Sequence, residues 1–353
     1  MPASRFHWLG DRIPYPWPET GEDLLKVGPV LWKLAQAGEA VMGDTFPFTW
    51  GDDGELYTSS GDPYWGGKEG GLDVELFSGD APGYSISRVS AMPGYDGNAG
   101  EGPKPSGMIC VNGVLYLAFQ NLLGKRPPAH GEKSQHGSDA VITCSHDHGK
   151  TWIPDIRGLK APMFPGNEFG GPAFVNSGRN NENCRDGYVY AVSSDQWDNG
   201  SRMRLGRVPR DLILESPEWE WVAGFDSAGR PSWTHALGEA VPVLTRDRHV
   251  SLPDMGYVAA LRRYLLLNWR LNEDYVFDKG SQLMIYESPE PWGPFSLVHE
   301  EGIWESAEVT PYCPRLPLKW IERDGEGITG WLQFSGRPGS HYYRSHVRRF
   351  RLK

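Results

Sequence analysis

Glu55-Leu-Tyr-Thr-Ser-Ser-Gly-Asp62 is a short apolar strand that ends in small polar residues, and its pattern returns four more times along the chain. The further copies are Val114–Asn121, Tyr188–Asp195, Tyr264–Arg270 and Gly330–Gly336. Successive copies begin 59, 74, 76 and 66 residues apart. This spacing is near that of a four-stranded propeller blade with loop insertions, since kelch-type blades span about 50 residues. The repeat therefore predicts an all-β fold, a five-bladed β-propeller.

The repeat occupies most of the 353 residues and leaves no linker, which indicates one propeller domain over residues 41–353. Residues 1–40 are expected to form an N-terminal extension that packs on the propeller or supplies a closing strand. Within it, residues 22–40 have a helix-like pattern, interrupted at Gly28-Pro29. The last strand, residues 344–352, alternates charged and apolar residues and is expected to close the ring.

The composition excludes several classes of function. A net charge of −10 argues against nucleic-acid binding, which needs a basic surface. No apolar run is long enough to span a membrane, and the N-terminus lacks the apolar core of a signal peptide. The four cysteines lack CxxC spacing and are expected to be buried thiols in a cytoplasmic protein, or in a secreted one if a leader was removed. No cofactor is expected to be required, and a Ca²⁺ or Na⁺ ion in the channel and the oligomeric state are left open.

The segment Ser145-His-Asp-His-Gly-Lys-Thr-Trp152 resembles an Asp-box, a turn motif of propeller blades. Asp147 is expected to accept backbone N–H groups, Gly149 to take a positive φ and Trp152 to pack between blades. His146 and His148 flank Asp147, but alternate residues of a hairpin point to opposite sides, so no metal site is predicted there. The Asp52-Asp53 pair is expected to be structural, in a turn at the opposite end of the channel.

Propeller geometry nominates the site residues. In each blade, the first strand is innermost and starts at one end of the central channel, and the second strand returns to that same end. Residues just before the first strand and just after the second strand therefore converge at this end of the channel. The polar and charged candidates are Asp44, Asp62, Lys104, Glu168, Asp195, His249, Arg270, Glu308 and Arg337. The aromatic candidates for a sugar-binding platform are Trp65, Trp197 and Trp269.

Three carboxylates in this set bear most directly on chemistry. Asp44, Asp62 and Glu168 from different blades would repel one another in one pocket, which raises the pKa of at least one. Glycoside hydrolysis needs such a pair, with one carboxyl group protonating the leaving oxygen while the other activates water or attacks the sugar. The structural alternative is that Asp44 and Asp62 cap turns, because Asp is common beside Gly and Pro.

The stretch Asp44–Asp62 resembles the first blade of a bacterial five-bladed propeller family that includes endo-D-arabinanases. Phe169–Asn176, Leu205–Asp211, Gly229–Thr234 and Glu290–Phe295 are similar to the same family, in the same order. The resemblance implies that Asp44 and Asp62 are the paired catalytic carboxylates. Glu168 is similar to the general-acid Glu of the Glu-Gly-Pro motif in arabinan-cleaving propellers, although Phe169 and a further Gly intervene here.

The sequence leaves several functions open. The leading hypothesis is a glycoside hydrolase acting on an oligo- or polysaccharide with arabinofuranoside-type or related linkages. In it, Asp44 is base or nucleophile, Asp62 its partner and Glu168 the acid. A polysaccharide lyase would instead use His249 or Tyr257 as base, with Lys104, Arg270 or Arg337 neutralising a uronate. A phosphorylase would need a cationic phosphate site, and a non-catalytic glycan-binding propeller would need no carboxylate pair.

Overall fold

The computed structural model describes residues 5–14, 42–65, 68–69, 72–91, 102–124, 136–155, 159–338, 340 and 342–353. The predicted helix-like segment at residues 22–40 lies outside this part of the chain. In the part described, the strands are β1 (Phe6–Pro14), β2 (Met42–Asp44), β3 (Thr49–Trp50), β4 (Leu56–Trp65), β5 (Lys68–Glu69), β6 (Leu72–Ser78), β7 (Ser85–Ala91), β8 (Lys104–Val111), β9 (Val114–Gln120), β10 (Val141–Ser145), β11 (Ala173–Asn176), β12 (Tyr188–Ser194), β13 (Gly200–Pro209), β14 (Glu220–Phe225), β15 (Pro231–Thr234), β16 (Leu244–Val250), β17 (Asp254–Val258), β18 (Arg263–Glu273), β19 (Val276–Ser288), β20 (Ser296–Glu301), β21 (Tyr312–Arg315), β22 (Ile321–Asp324), β23 (Gly327–Ser335) and β24 (Ser345–Leu352). Short 3-10 turns cover Arg179–Asn181, Ser216–Glu218, Leu237–Glu239 and Leu318–Trp320. Among these residues, no helix has the length and apolar character needed to cross a bilayer.

The strands pair into antiparallel sheet units whose members largely follow chain order. The first unit is β2-β4-β6-β7, the second β8-β9-β10, the third β11-β12-β13-β14-β15, the fourth β17-β18-β19-β20 and the fifth β21-β23-β24-β1. Strands β3 and β5 pair with β4, β16 with β13, and β22 with β23. The all-β class predicted from the sequence is confirmed, and the count of five blades stays a prediction.

Two strand pairs join parts of the chain that are distant in sequence. Strands β11 and β17 pair in parallel, which joins the third unit to the fourth through their first strands. Strand β1, from the N-terminal extension, runs antiparallel along β24 from Phe6 opposite Leu352 to Pro14 opposite His346. The two ends of the described chain are therefore held in one sheet.

Apolar residues on both faces of a sheet pack against its neighbours. On β23, Ile328, Leu332 and Phe334 are fully buried in one core cluster, while Trp331 on the opposite face packs against another. Burial of side chains of this size is worth about 1.5–3 kcal/mol each. Packing between the sheets thus stabilises the fold, and polar residues can occupy the ends of the strands.

Two polar side chains, one partly and one fully buried, tie the innermost strands together. The Asn176 amide donates to the carbonyls of Phe48 (3.1 Å) and Met108 (3.0 Å), and so links the third unit to the first and second. The fully buried Arg315 guanidinium donates to the carbonyls of Thr45 (2.6 Å) and Pro253 (3.1 Å), and so links the fifth unit to the first and fourth. These contacts hold the starts of the innermost strands in a fixed relation.

The Ser145–Trp152 turn has the hydrogen bonds expected from its sequence. Asp147 Oδ1 accepts the Thr151 N–H at 2.9 Å, and Gly149 has a φ of 88°. Trp152 is partly buried against a core cluster that contains Val74 of the first unit and residues of the second. These interactions order the turn after β10, and its identity as an Asp-box stays a prediction.

Candidate active site

The candidate site begins with a distorted pair of strands in the first unit. The register between β2 and β4 shifts between Met42 and Asp44, which is the signature of a β-bulge. Thr45 (φ 67°), Phe46 (φ 39°) and Asp62 (φ 46°) all have left-handed backbone conformations, which are uncommon for residues other than glycine. Bulges next to active sites re-aim side chains. The bulge and the turns beside it direct the Asp44 and Asp62 side chains toward the same region.

Gly61 leaves room for this convergence. A Cβ atom at position 61 would lie 2.8 Å from Asp44 Oδ1 and 3.3 Å from the Lys104 side chain. Contacts this short do not occur at real Cβ atoms, so a side chain at this position would displace the carboxylate. The sequence Gly61-Asp62 therefore brings two carboxylates and an ammonium group around one small residue.

Lys104 and Tyr312 fix the two carboxylates in different ways. The Lys104 ammonium group donates directly to Asp62 Oδ1, and both side chains are largely buried. The Tyr312 hydroxyl, fully buried, donates to Asp44 Oδ2 at 2.9 Å. The Tyr343 hydroxyl also bonds the Asp44 carboxyl, and it lies 3.3 Å from the Gly61 carbonyl, which it can reach as a donor.

The two carboxyl groups differ in their electrostatic surroundings. Burial, with the nearby Asp62 charge, raises the pKa of Asp44 from 3.8 to about 7, although Lys104, Tyr312 and Tyr343 oppose the rise. Asp62 has the Lys104 cation in direct contact, which favours its ionised form. A carboxyl group whose pKa is raised to about 7 thus lies near a second carboxyl group that contacts a cation, and acid–base catalysis uses pairs of groups with such unequal environments.

Glu168 lies in the turn before β11. Its side chain is about half exposed (47%) and its Oε1 lies 3.5 Å from Nη2 of the buried Arg204 in the third unit. The neighbouring Phe169 is fully buried and anchors the turn in the core. The structure therefore places Glu168 at an exposed position with an arginine partner, separate from the Asp44–Asp62–Lys104 contacts.

Asp195 is buried and organises its own turn. Its Oδ1 accepts the backbone N–H groups of Ser201 (2.9 Å) and Arg202 (3.2 Å), and its Oδ2 accepts the Arg202 side chain at 3.2 Å. These bonds engage the carboxylate from three directions. They order the β12–β13 connection, and a role of Asp195 in binding substrate hydroxyl groups stays a prediction.

His249 and Tyr257, the alternative bases of a lyase, lie far apart. His249 Nε2 lies 3.5 Å from Nη1 of Arg270, near the end of β18. Tyr257 is directly opposite Tyr264, near the start of β18, and the two rings contact each other. Six residues of strand separate Tyr264 from Arg270, or about 20 Å at about 3.3 Å per residue. Tyr257 therefore lies away from the end of β18 at which His249 and Arg270 meet.

The two residues predicted from the fifth unit lie at its loops. Glu308 is exposed and accepts the Tyr342 hydroxyl at 2.8 Å. Arg337 is partly buried, and its backbone N–H donates to the Val309 carbonyl at 2.7 Å. The innermost strand β21 starts only at Tyr312, so Tyr312 takes the position beside Asp44 that the sequence pattern assigned to Glu308.

The predicted aromatic platform requires a correction. Trp197 is 4% exposed and Trp269 is fully buried, and their rings meet edge to face with centroids 5.0 Å apart in the core. The Trp269 indole N–H donates to the Leu252 carbonyl at 3.1 Å. Both rings are packed on all sides and offer no face for a sugar. The third member of the predicted set, Trp65, has a side chain outside the described residues.

Several residues near the carboxylate pair escaped the sequence analysis. Besides Tyr312 and Tyr343, Tyr275 lies near the pair: burial, and then the charges of Asp44, Asp198 and Asp62, raise the pKa of its hydroxyl. Asp198 is fully buried and accepts the Tyr275 backbone N–H at 3.0 Å. Asp198 lies in the loop after β12, three residues beyond Asp195, the residue that the sequence pattern selected at the end of this strand.

One cluster outside this site has the geometry of metal ligands. Oxygen and nitrogen atoms of Asp52, Asp53 and His148 lie within 4.8 Å of one another, in the part of the chain that the structure describes. Each group already has a hydrogen-bond partner: His148 Nε2 lies 2.9 Å from Asp52 Oδ1, and Asp53 accepts the Tyr57 hydroxyl at 2.6 Å. These hydrogen bonds stabilise the turns that carry the three residues, which explains why the residues lie together.

Comparison with known proteins finds solved structures of similar fold. No family model matches the chain, and no curated protein matches it in sequence. Among solved structures, a candidate hydrolase from Bacteroides ovatus is similar at 14% identity, with a TM-score of 0.53 over 95% of this chain and 93% of the other. The catalytic domain of a GH62 α-L-arabinofuranosidase from Coprinopsis cinerea is similar at 12% identity, with a TM-score of 0.50 over 99% and 98%. At these identities the likeness shows a shared fold over nearly the full length of each chain.

Proposed function

We propose that this protein is a glycoside hydrolase that cleaves arabinofuranoside-type or related linkages with Asp44 and Asp62 as its catalytic carboxylates. The observation that carries the proposal is the unequal environment of these two groups, one buried against tyrosines and the other in contact with Lys104. The likeness in fold to the Coprinopsis cinerea arabinofuranosidase supports the choice of substrate class.

We assign the roles differently from the hypothesis that the sequence suggests. Asp44 holds its proton up to a pH of about 7, so it is the group that protonates the leaving glycosidic oxygen as the C–O bond breaks. Asp62, held ionised by Lys104, activates water or attacks the anomeric carbon. Glu168 then contacts substrate from its exposed position beside Arg204 rather than donating the proton.

The proposal includes the five-bladed ring. The contacts of Asn176 join the first three sheet units, and those of Arg315 join the fifth to the fourth and the first. The parallel pair β11–β17 supplies the remaining link between the third and fourth units. Five antiparallel units connected in this cycle form a closed propeller whose innermost strands begin around Asp44. The Ser145–Trp152 turn is then an Asp-box of the second blade.

In a lyase, His249 would be the base, because Tyr257 lies too far from Arg270 to share a uronate with it. A lyase would also place an arginine or lysine against the uronate carboxylate, whereas the buried Lys104 is engaged by Asp62. A non-catalytic glycan-binding protein would have no use for a carboxyl group held protonated in a buried position. It remains the outcome expected if substitution of Asp44 leaves function intact.

The test is an assay of new reducing ends on arabinan, arabinogalactan and a uronate-bearing glycan, with absorbance of unsaturated uronate followed in parallel. Reducing ends without absorbance are expected from the wild type. Activity should fall at least a hundredfold in Asp44→Asn and in Asp62→Asn, because removal of a general acid or base costs about 10²–10⁴-fold. The matched control is Asp278→Asn, an exposed carboxylate on β19. Absorbance that rises with the reducing ends would contradict the proposal.

The pH profile tests the assignment of roles. Because Asp44 must be protonated to act as the acid, kcat/KM is expected to fall as the pH rises through about 7. A rate that rises through the same pH range would assign Asp44 as the base.

A further inference from the structure

A cavity lies between the fifth and first sheet units. It has a volume of about 370 Å³, within the range of about 300–1,000 Å³ that is typical of small-molecule sites. One wall is the sheet formed by β22, β23 and β24, and the other is the Asp80–Pro82 turn between β6 and β7. We call this cavity the Trp331 groove.

The strand register places a specific set of side chains on the groove wall. Glu322 lies opposite Thr329, and Trp331 lies opposite Arg349. Thr329 and Trp331 are two residues apart on β23, so all four side chains are on the same face of the sheet. The other face of β23 packs in the core, so the face that carries Thr329 and Trp331 is directed toward the groove.

The groove is remote from the carboxylate pair. Ser335, at the end of β23, lies opposite Tyr312, whose hydroxyl bonds Asp44. Thr329 is six residues earlier on the same strand, or about 20 Å away at about 3.3 Å per residue. A ligand in the groove would therefore occupy a site separate from the proposed catalytic centre.

The chemistry of the lining favours an uncharged, polyhydroxylated ligand. Lys319 and Arg349 are balanced by Asp80 and Glu322, so the groove has no net charge to select an anion or a cation. The acidic and basic groups nevertheless offer both acceptors and donors. A partly exposed indole supplies an aromatic face on which the C–H groups of a sugar ring can pack.

We propose that the Trp331 groove is a second carbohydrate-binding site, which holds a neutral glycan chain away from the catalytic centre. The inference rests on the proposed carbohydrate function for its choice of ligand, but it does not depend on catalysis. Trp331 provides the stacking surface, and Thr329, Glu322 and Arg349 bind hydroxyl groups. The buried Trp320 forms the back of the groove.

The test is affinity electrophoresis of the full-length Asp44→Asn protein in gels that contain arabinan, arabinoxylan or polygalacturonate. The catalytic substitution keeps the polymers intact. In this background, Trp331→Ala is expected to weaken binding of the neutral polymers about tenfold, the equivalent of about 1.4 kcal/mol. Thr329→Val, which keeps the side-chain shape, should weaken binding about threefold through one lost hydrogen bond. Phe225→Ala, at an exposed aromatic residue far along the chain, is the control and should bind as the parent does.

The outcomes separate the two proposals. Binding to a neutral polymer that is lost in Trp331→Ala and reduced in Thr329→Val supports the groove, even if the wild type hydrolyses nothing in the separate reducing-end assay. Unchanged binding in both variants overturns it. Binding to no neutral polymer, or to polygalacturonate alone, also overturns it.

Discussion

The Asp44→Asn substitution should make the protein more stable at neutral pH while it removes activity. The folded protein holds a proton on Asp44 up to about pH 7, whereas the unfolded chain releases it near pH 3.8. Between these values the unfolded state binds fewer protons than the folded state, so the free energy of unfolding decreases as the pH rises. Over this interval the loss is about 4 kcal/mol, at about 1.36 kcal/mol per pH unit.

Asparagine is neutral at every pH and keeps an oxygen that can accept the Tyr312 hydroxyl, so it avoids this loss. Relative to the wild type, the variant should gain about 4 kcal/mol of stability between pH 4 and pH 8. For a chain of this size, with an unfolding entropy of about 2.1 cal/mol/K per residue, that corresponds to about 6 °C in Tm.

The assay is thermal unfolding of the wild type, Asp44→Asn and the control Asp278→Asn at pH 4.5, 6, 7 and 8. The difference in Tm between Asp44→Asn and the wild type should grow with pH, while the control difference stays flat. A difference that does not change with pH, or that changes in the opposite sense, would refute the argument that Asp44 is protonated in the folded protein.

Three further substitutions test the packing around the site. Gly61→Ala should lower kcat/KM about a hundredfold with little change in Tm, because its Cβ would displace the Asp44 carboxylate. The control is Gly187→Ala, which has open space around its Cβ. Equal activity of the two variants would contradict the close approach of Gly61 to Asp44. Arg315→Leu should destabilise the fold by about 3–5 kcal/mol in denaturant unfolding, because it leaves buried carbonyls and a buried carboxylate without their partner. Trp269→Ala should cost about 3–5 kcal/mol as a core cavity, and a loss below about 1 kcal/mol would show that the ring is exposed.

The fold class followed from the sequence because strand repetition and turn residues are local signals. Alternation along the strands and the Gly and Pro turns between them determined the all-β class and the approximate place of each sheet unit. The turn at Ser145–Trp152 was similarly readable, because its hydrogen bonds join residues no more than four apart.

The site was predicted only in part. Asp44 and Lys104 lie at strand ends as the pattern predicted, Asp62 lies within β4, and the structure brings the three together. Tyr312 and Tyr343 were missed because their contacts with the first unit span more than 260 residues, which no local pattern records. Trp197 and Trp269 were misjudged because the sequence shows where an aromatic ring occurs but not whether another ring covers it.

The central claim is that Asp44 and Asp62 break a glycosidic bond with water. The most direct measurement is digestion of arabinan in water enriched in oxygen-18, followed by mass spectrometry of the products and by a control incubation of the finished products without protein. The account predicts one heavy oxygen at each new reducing end with the wild type, beyond the control level, and no product with Asp62→Asn. Products that carry no heavy oxygen, or an undiminished yield from Asp62→Asn, would contradict it.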